Sequence, residues 1–326
     1  MLQKLITSCI SFVIFAIKTL ERIVIHSGIR MSNWKNNCKT DLSGVTALVT
    51  GASNGIGLET TLALAKLGCK VIMGCRNLEK AELVKKEMIE KSEEKISEDL
   101  LVVKCLDLKS KDSIKKFSDD VHQSVDKIQI LVNNAGVCSS DKRISDDGFE
   151  MTFAVNHLGH FYLTFLLMDI LQKSGDDVRI INVSSDAYKM GELIMDDLNL
   201  ERRGYSYIKS YAHSKLANVL FTKQLTEKYA DDKNLKFYSL HPGVVATDLN
   251  RDSAFGRFMT KIFKFTMKSS ESGAYTTLYC ALSNDSLTNG GYFVDCKEAS
   301  LKDRGKNMEV AGKLWATSCE MMGIDW

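Results

Sequence analysis

Seven short apolar runs punctuate this chain, and stretches of helical periodicity separate most of them. The runs are Val45–Val49, Lys70–Gly74, Leu100–Lys104, Ile128–Val132, Val178–Val183, Leu235–Leu240 and Gly291–Val294. Leu78–Glu94 and Lys111–Ser124 are two of the charged helical stretches between them. Apolar strands alternating with helices predict a doubly wound α/β domain, its parallel sheet covered on both faces. No internal repeat and no linker rich in proline, glycine or serine interrupts the pattern. Residues 41–326 therefore read as one domain and residues 1–40 as a separate N-terminal segment.

That segment carries an uncharged stretch, Leu5–Ile17. As a helix it reaches about 20 Å, short of a hydrocarbon core of about 30 Å. Tolerating Lys18, Glu21 and Arg22 near an interface would let it extend to Ile25. No small-residue cleavage site follows, so the stretch reads as a retained membrane anchor rather than a signal peptide. Lys4 precedes it, whereas Lys18, Arg22, Arg30 and Lys35 follow it, which leaves the remainder of the chain on the cytosolic side. Nine cysteines without a C-x-x-C pair or a metal-ligand spacing agree with a reducing compartment. A formal net charge of +2 predicts no nucleic-acid partner.

The first strand runs into Thr50-Gly51-Ala52-Ser53-Asn54-Gly55-Ile56-Gly57 and then a helix expected near Leu58. Three glycines there permit a tight turn and close backbone approach to a pyrophosphate, with the helix N-terminus supplying donors. The second strand ends in Gly74-Cys75-Arg76, with no carboxylate for a ribose diol. An arginine pairs with a 2′-phosphate, so the expected cofactor is NADP(H). Beyond the third strand, Asp107, followed by Leu108, is placed to accept from an adenine amino group. The fourth strand ends in Asn133-Asn134-Ala135-Gly136, small and amide-bearing residues that leave room for a cofactor.

Tyr211 and Lys215 lie one helical turn apart. A free phenol, with a pKa of roughly 10, is a poor catalyst at neutral pH, and a nearby ammonium favours the phenolate. At roughly 4 Å and an effective dielectric of about 20 the attraction is about 4 kcal/mol before desolvation. Ser184 and Ser185 end the fifth strand, facing the crevice where such sheets bind ligands. Asn156 interrupts an apolar helix and needs a partner, a relay water among the candidates. His157 and His160 lack a third ligand at suitable spacing, so they read as packed side chains and no metal site is expected.

Taken together, TGASNGIG, NNAG, the Ser-Ser strand end, YAHSK and Pro242-Gly243 resemble the short-chain dehydrogenase/reductase family in order and spacing. VNHLGHFYLT, NVSS, YAHSKLANVLF and HPGVV resemble its retinol dehydrogenase branch more closely. The resemblance implies Tyr211 as acid–base, Lys215 as ribose holder, Ser185 as the substrate's hydrogen-bond donor and Asn156 as holder of the relay water. It implies Gly51, Gly55 and Gly57 as the phosphate turn, with Ser53, Asn54 and Ile56 between them. Asn133, Ala135 and Gly136 would line the cofactor cleft, and Pro242, Gly243, Val244 and Thr247 would meet the nicotinamide end. It further implies a lipophilic carbonyl or alcohol as substrate, retinal being one, a membrane-anchored enzyme of the endoplasmic reticulum, and room for a homo-oligomer. An NAD-dependent steroid or hydroxy-fatty-acid dehydrogenase and a non-catalytic nucleotide sensor are the competing readings. Last, Phe255–Lys268 combines apolar residues at helical spacing with Arg257, Lys261, Lys264 and Lys268 as a basic stripe, which suits contact with an anionic membrane face.

Overall fold

The computed structural model describes residues 37–92, 96–245 and 268–326. The expected anchor Leu5–Ile17, Thr247 and most of the Phe255–Lys268 stretch lie outside the described residues. Lys268 itself is described, and it does not join a solvated stripe. Its side chain is 9% exposed and its ammonium pairs with Asp295. A chain partner within reach outcompetes water for a largely buried cation.

The strands are β1 Thr46–Thr50, β2 Lys70–Cys75, β3 Leu101–Cys105, β4 Ile130–Asn133, β5 Val178–Val183, β6 Leu235–His241, β7 Tyr292–Val294 and β8 Lys297–Glu298. They form one sheet in the order β3-β2-β1-β4-β5-β6-β7-β8. All neighbours are parallel except β7 and β8. The order reverses beside β1, where chains leave neighbouring strand ends in opposite directions and open a crevice.

Period-two alternation sorts the strand residues between two cores. Leu48, Ile72, Leu131 and Ile180 face one side; Ala47, Val49, Val71, Met73, Val132 and Ile181 face the other. On the second side lie α1 (Gly55–Lys66), α2 (Leu78–Lys91) and, further along the chain, Ser270–Leu282. On the first side lie α3 (Lys111–His122), α4 (Gly159–Leu166) and α5 (Tyr207–Lys228). The helix Ser270–Leu282 is α6, and α7 (Met308–Met322) packs along α5. The chain end seals that packing: Trp326 donates to the Tyr229 hydroxyl at 2.8 Å and lies 4.9 Å, ring to ring, from Phe161. No helix among the described residues is long and apolar enough to cross a membrane.

Candidate active site

The glycine-rich turn is a steric device. α1 starts at Gly55, earlier than expected, with Asn54 as its N-cap residue, so Gly55 and Gly57 fall within its first turn. Gly51 and Gly55 hold φ of +68° and +54°, which side chains with a Cβ resist. A Cβ on Gly57 would sit 2.3 Å from the Gly51 carbonyl oxygen and 2.5 Å from Asn134 Nδ2. The turn therefore packs directly on the loop after β4, where a Cβ on Gly51 would lie 3.1 Å from Ala135. Such a cradle fits a dinucleotide pyrophosphate, which needs bare backbone and free amides. Ile56 turns the other way, towards Gly273 of α6.

The expected Ser–Tyr–Lys trio meets at the carboxyl ends of β4 and β5. Ser185 stands just past β5, Tyr211 and Lys215 on α5, and the Tyr211 phenol hydrogen-bonds Ser185. Lys215 is 3% exposed; its Nζ donates to the Val183 carbonyl at 3.0 Å and lies 5.5 Å from the centre of the Tyr211 ring. Ser184 is structural, its hydroxyl donating to the Lys215 carbonyl at 2.7 Å and fixing α5 to the strand end. Burial holds the Lys215 ammonium down to about 8. Burial also pushes the Tyr211 phenol above its ordinary value, and the bond to Ser185 opposes this. The expected acidification is absent because desolvation of the phenolate outweighs its partners. Tyr211 is thus a protonated phenol, a donor.

Asn156 is fully buried in a π-helical segment, Ala154–Leu158, that precedes α4. Its side chain is committed: Oδ1 accepts from Val137 N at 2.7 Å, and Nδ2 donates to Val137 O and Ser214 Oγ, each at 3.0 Å. A relay water would therefore have to use its main-chain carbonyl. Gly136 leaves the gap beside these groups; a Cβ there would stand 3.3 Å from Asn156 Oδ1 and 3.6 Å from Lys215 Nζ. Asn133 lies deeper, its Nδ2 bridging Thr164 Oγ1 at 3.1 Å and Asn182 Oδ1 at 2.9 Å. It braces α4 to the sheet, and Asn134 and Ala135 are the residues that adjoin the turn.

At the other end of the crevice Arg76 is exposed just past β2, without a hydrogen bond or ion pair to the described residues. The Cys75 thiol beside it bonds Ser53, tying this strand end to the turn. Asp107 uses Oδ1 on Lys109 N at 3.2 Å, and the Leu108 carbonyl backs onto Gly159, where a Cβ would come within 2.4 Å. Past β6, Pro242 is buried, Gly243 has φ of +93° and Val244 is 55% exposed, an apolar side chain open at the crevice mouth.

Two contributors are not legible in the sequence. Glu150 is fully buried and caps the segment before Asn156, accepting from Thr152 N and Phe153 N while Ser210 Oγ donates to it at 2.7 Å. It thereby fixes the residue beside Tyr211. Thr50 Oγ1 gathers Asn134 N, Ala135 N and His160 Nε2. An acidic residue three positions before Phe153 was the one available signal, a capping pattern.

A sheet of this order, a glycine cradle at β1 and a Ser–Tyr–Lys set at β5 and α5 define a dinucleotide-dependent oxidoreductase. The family model of the short chain dehydrogenases matches residues 45–255. Mouse retinol dehydrogenase 12 is 38% identical over 89% of this chain and 90% of its own length. Human retinol dehydrogenase 11 is 39% identical, with 87% of each covered. A crystal structure of an uncharacterised Mycobacterium paratuberculosis protein superposes with a TM-score of 0.71 at 31% identity, covering 87% of this chain and 96% of that one. The chain belongs to the short-chain dehydrogenase/reductase family, in its retinol-dehydrogenase-like branch. Its chemistry is hydride transfer with a nicotinamide cofactor.

Proposed function

We propose that this chain is an NADP(H)-dependent reductase of lipophilic aldehydes and ketones, retinal among them. The observation that carries the reading is the placement of Tyr211 on Ser185, with the Lys215 ammonium 5.5 Å from its ring centre. Reduction needs a donor where the alkoxide forms, and a phenol, with an ordinary pKa of about 10, is a donor at neutral pH. When bound, the cofactor supplies the hydride, held by the Gly51–Gly57 turn, Asn54, Ala135, Gly136 and Lys215, with Val244 at its nicotinamide end. Ser185 orients the carbonyl oxygen, Tyr211 releases its proton to that oxygen, and Lys215 stabilises the phenolate left behind. Gly136 and the committed amide of Asn156 leave a gap beside Lys215 through which a water held on the Asn156 carbonyl would return the proton.

NADP(H) is favoured because β2 is followed by Arg76, which has no partner among the described residues, and by no carboxylate. The lipophilic substrate is favoured by the retinol dehydrogenases among the relatives. An uncharged Leu5–Ile17 with its basic flank supports anchoring of residues 1–40 at the endoplasmic reticulum and a catalytic domain, 41–326, facing the cytosol. The test is a panel of retinal, steroid ketones and alkenals with each cofactor. NADPH should bind more tightly than NADH by about 1.5–3 kcal/mol, and Arg76→Ala should erase most of that difference. Equal affinities in the unaltered protein would overturn the cofactor assignment. Tight cofactor binding without turnover on any carbonyl would replace the enzyme by a nucleotide sensor.

A further inference from the structure

We propose that His160 is a positioning residue for the reaction, a neutral imidazole with its proton on Nδ1 that fixes the carbonyl of Asn156. The inference deepens the reductase reading and starts from the hydrogen-bond capacity of one hydroxyl. Thr50 Oγ1 accepts from Asn134 N and Ala135 N, both at 2.9 Å, which occupies its two acceptor positions. Its own proton then has two takers: the Val132 carbonyl at 3.4 Å and His160 Nε2 at 2.8 Å. The shorter contact assigns the proton to the imidazole, so Nε2 is an acceptor. The remaining nitrogen, Nδ1, carries the hydrogen and donates to the Asn156 carbonyl at 3.1 Å.

Both ends of this bridge matter. Thr50 is the last residue of β1, immediately before the phosphate turn, and its hydroxyl also fixes the loop that carries Ala135 and Gly136. With the Asn156 side chain committed, its main-chain carbonyl, which takes the Nδ1 hydrogen on one lone pair, is the acceptor left for a relay water, in a π-helical segment of a kind that recurs at functional sites. The imidazole is 2% exposed and water does not reach it. A doubly protonated ring would turn Nε2 into a donor and force the Thr50 hydroxyl to give up one of its amides. The neutral Nδ1–H form is therefore the state compatible with the loop as built, and it aims the carbonyl that a relay water would use.

Two measurements test this. The first needs no turnover: long-range proton–nitrogen NMR of protein labelled in histidine nitrogen, the ring assigned by its loss in His160→Leu. A neutral ring protonated at Nδ1 at pH 7 is expected; protonation at Nε2, or on both nitrogens, overturns the proposal. The second is kinetic, on the carbonyl the unaltered protein reduces best. His160→Asn keeps a donor near the Nδ1 position, whereas His160→Gln and His160→Leu do not. Leu and Gln should lower kcat by roughly 10- to 100-fold, with cofactor Kd and substrate KM within about threefold, and Asn should restore most of kcat. Equal kcat in all three, or a cofactor affinity that falls in step with kcat, overturns it. A protein that gives the expected NMR state but reduces nothing in the panel refutes the reductase reading and with it the positioning role of His160, leaving only the tautomer.

Discussion

The two ends of the crevice are built on opposite principles. At the β1 end the site is made of missing side chains: Gly51, Gly55 and Gly57 hold backbone against backbone, and a single Cβ at Gly57 would fall 2.3 Å from a carbonyl oxygen. At the β5 end it is made of present ones. Lys215 and Asn156 are buried, each with its polar atoms assigned to named partners, and the buried Ser184 and Glu150 hold the backbone beside Ser185 and Tyr211. The first end should be intolerant of volume and indifferent to chemistry, the second tolerant of volume and intolerant of chemistry. A hydroxyl removed at one end and a methyl added at the other separate the two.

Tyr211→Phe keeps the ring and removes the proton. Carbonyl reduction should fall by about 10²- to 10⁴-fold while cofactor Kd stays within a few-fold, as read by steady-state kinetics and cofactor fluorescence. Turnover within tenfold of the unaltered enzyme would show that the donor is elsewhere. Gly57→Ala adds one methyl where the backbone of Gly51 already stands. Cofactor affinity should drop by roughly 100-fold and stability by about 1–3 kcal/mol, because neither backbone can retreat. An alanine variant that binds cofactor normally would mean that the turn is softer than its contacts imply.

Lys215→Met sharpens the contrast, since the β5 end should hold its chemistry at a cost in stability. The ammonium is buried and its pKa lies at about 8, below the value of an exposed lysine. The unfolded chain therefore binds more protons than the folded one between about pH 8 and 10, so stability rises with pH across that window. Methionine removes the buried charge and keeps the volume. Urea unfolding at pH 7.5 should find the variant more stable by about 1–3 kcal/mol, the gain shrinking by pH 9.5, while reduction is lost. A variant less stable at both pH values would mean that the bond to Val183 outweighs the desolvation of the charge.

What the sequence disclosed follows the same division. A glycine imposed by close approach leaves a letter in the chain, and the turn, the alternation of strands with helices and the Tyr–Lys spacing are all legible in the sequence. Thr50, His160, Ser214 and Glu150 were not. Each acts through hydrogen bonds to main chain or to a residue remote in sequence, and such bonds impose no spacing. The sign of the shift at Tyr211 differs from the expectation for a related reason: the charge of Lys215 is visible in the sequence, whereas the desolvation that raises the phenol exists only after folding. Lys268 is a third case, a cation expected in water whose partner, Asp295, comes from the far end of β7.

The smallest expected effect concerns the histidine one turn before His160, which should matter for packing alone. His157 is 1% exposed, its ring 5.1 Å from Phe153 and 5.9 Å from both Phe161 and Phe221, with Nε2 3.1 Å from Ser318 Oγ on α7. Burial holds His157 down to about 3 and His160 down to about 4. Both lie below the unfolded value of about 6.5, so the unfolded chain binds more protons under that pH and stability falls as acid is added. Each ring contributes about 2 kcal/mol of that loss between pH 6.5 and 5. His157→Phe completes an aromatic cluster and removes one titrating group. At pH 7.5 its stability should lie within about 1 kcal/mol of the unaltered protein, the ring packing offsetting the lost bond to Ser318. Between pH 6.5 and 5 its unfolding free energy should fall less steeply, by about 2 kcal/mol over the interval, with kcat unchanged. Parallel stability curves would mean that His157 is not the neutral packed ring this aromatic cluster makes it, and a fall in kcat would move it from the core to the site.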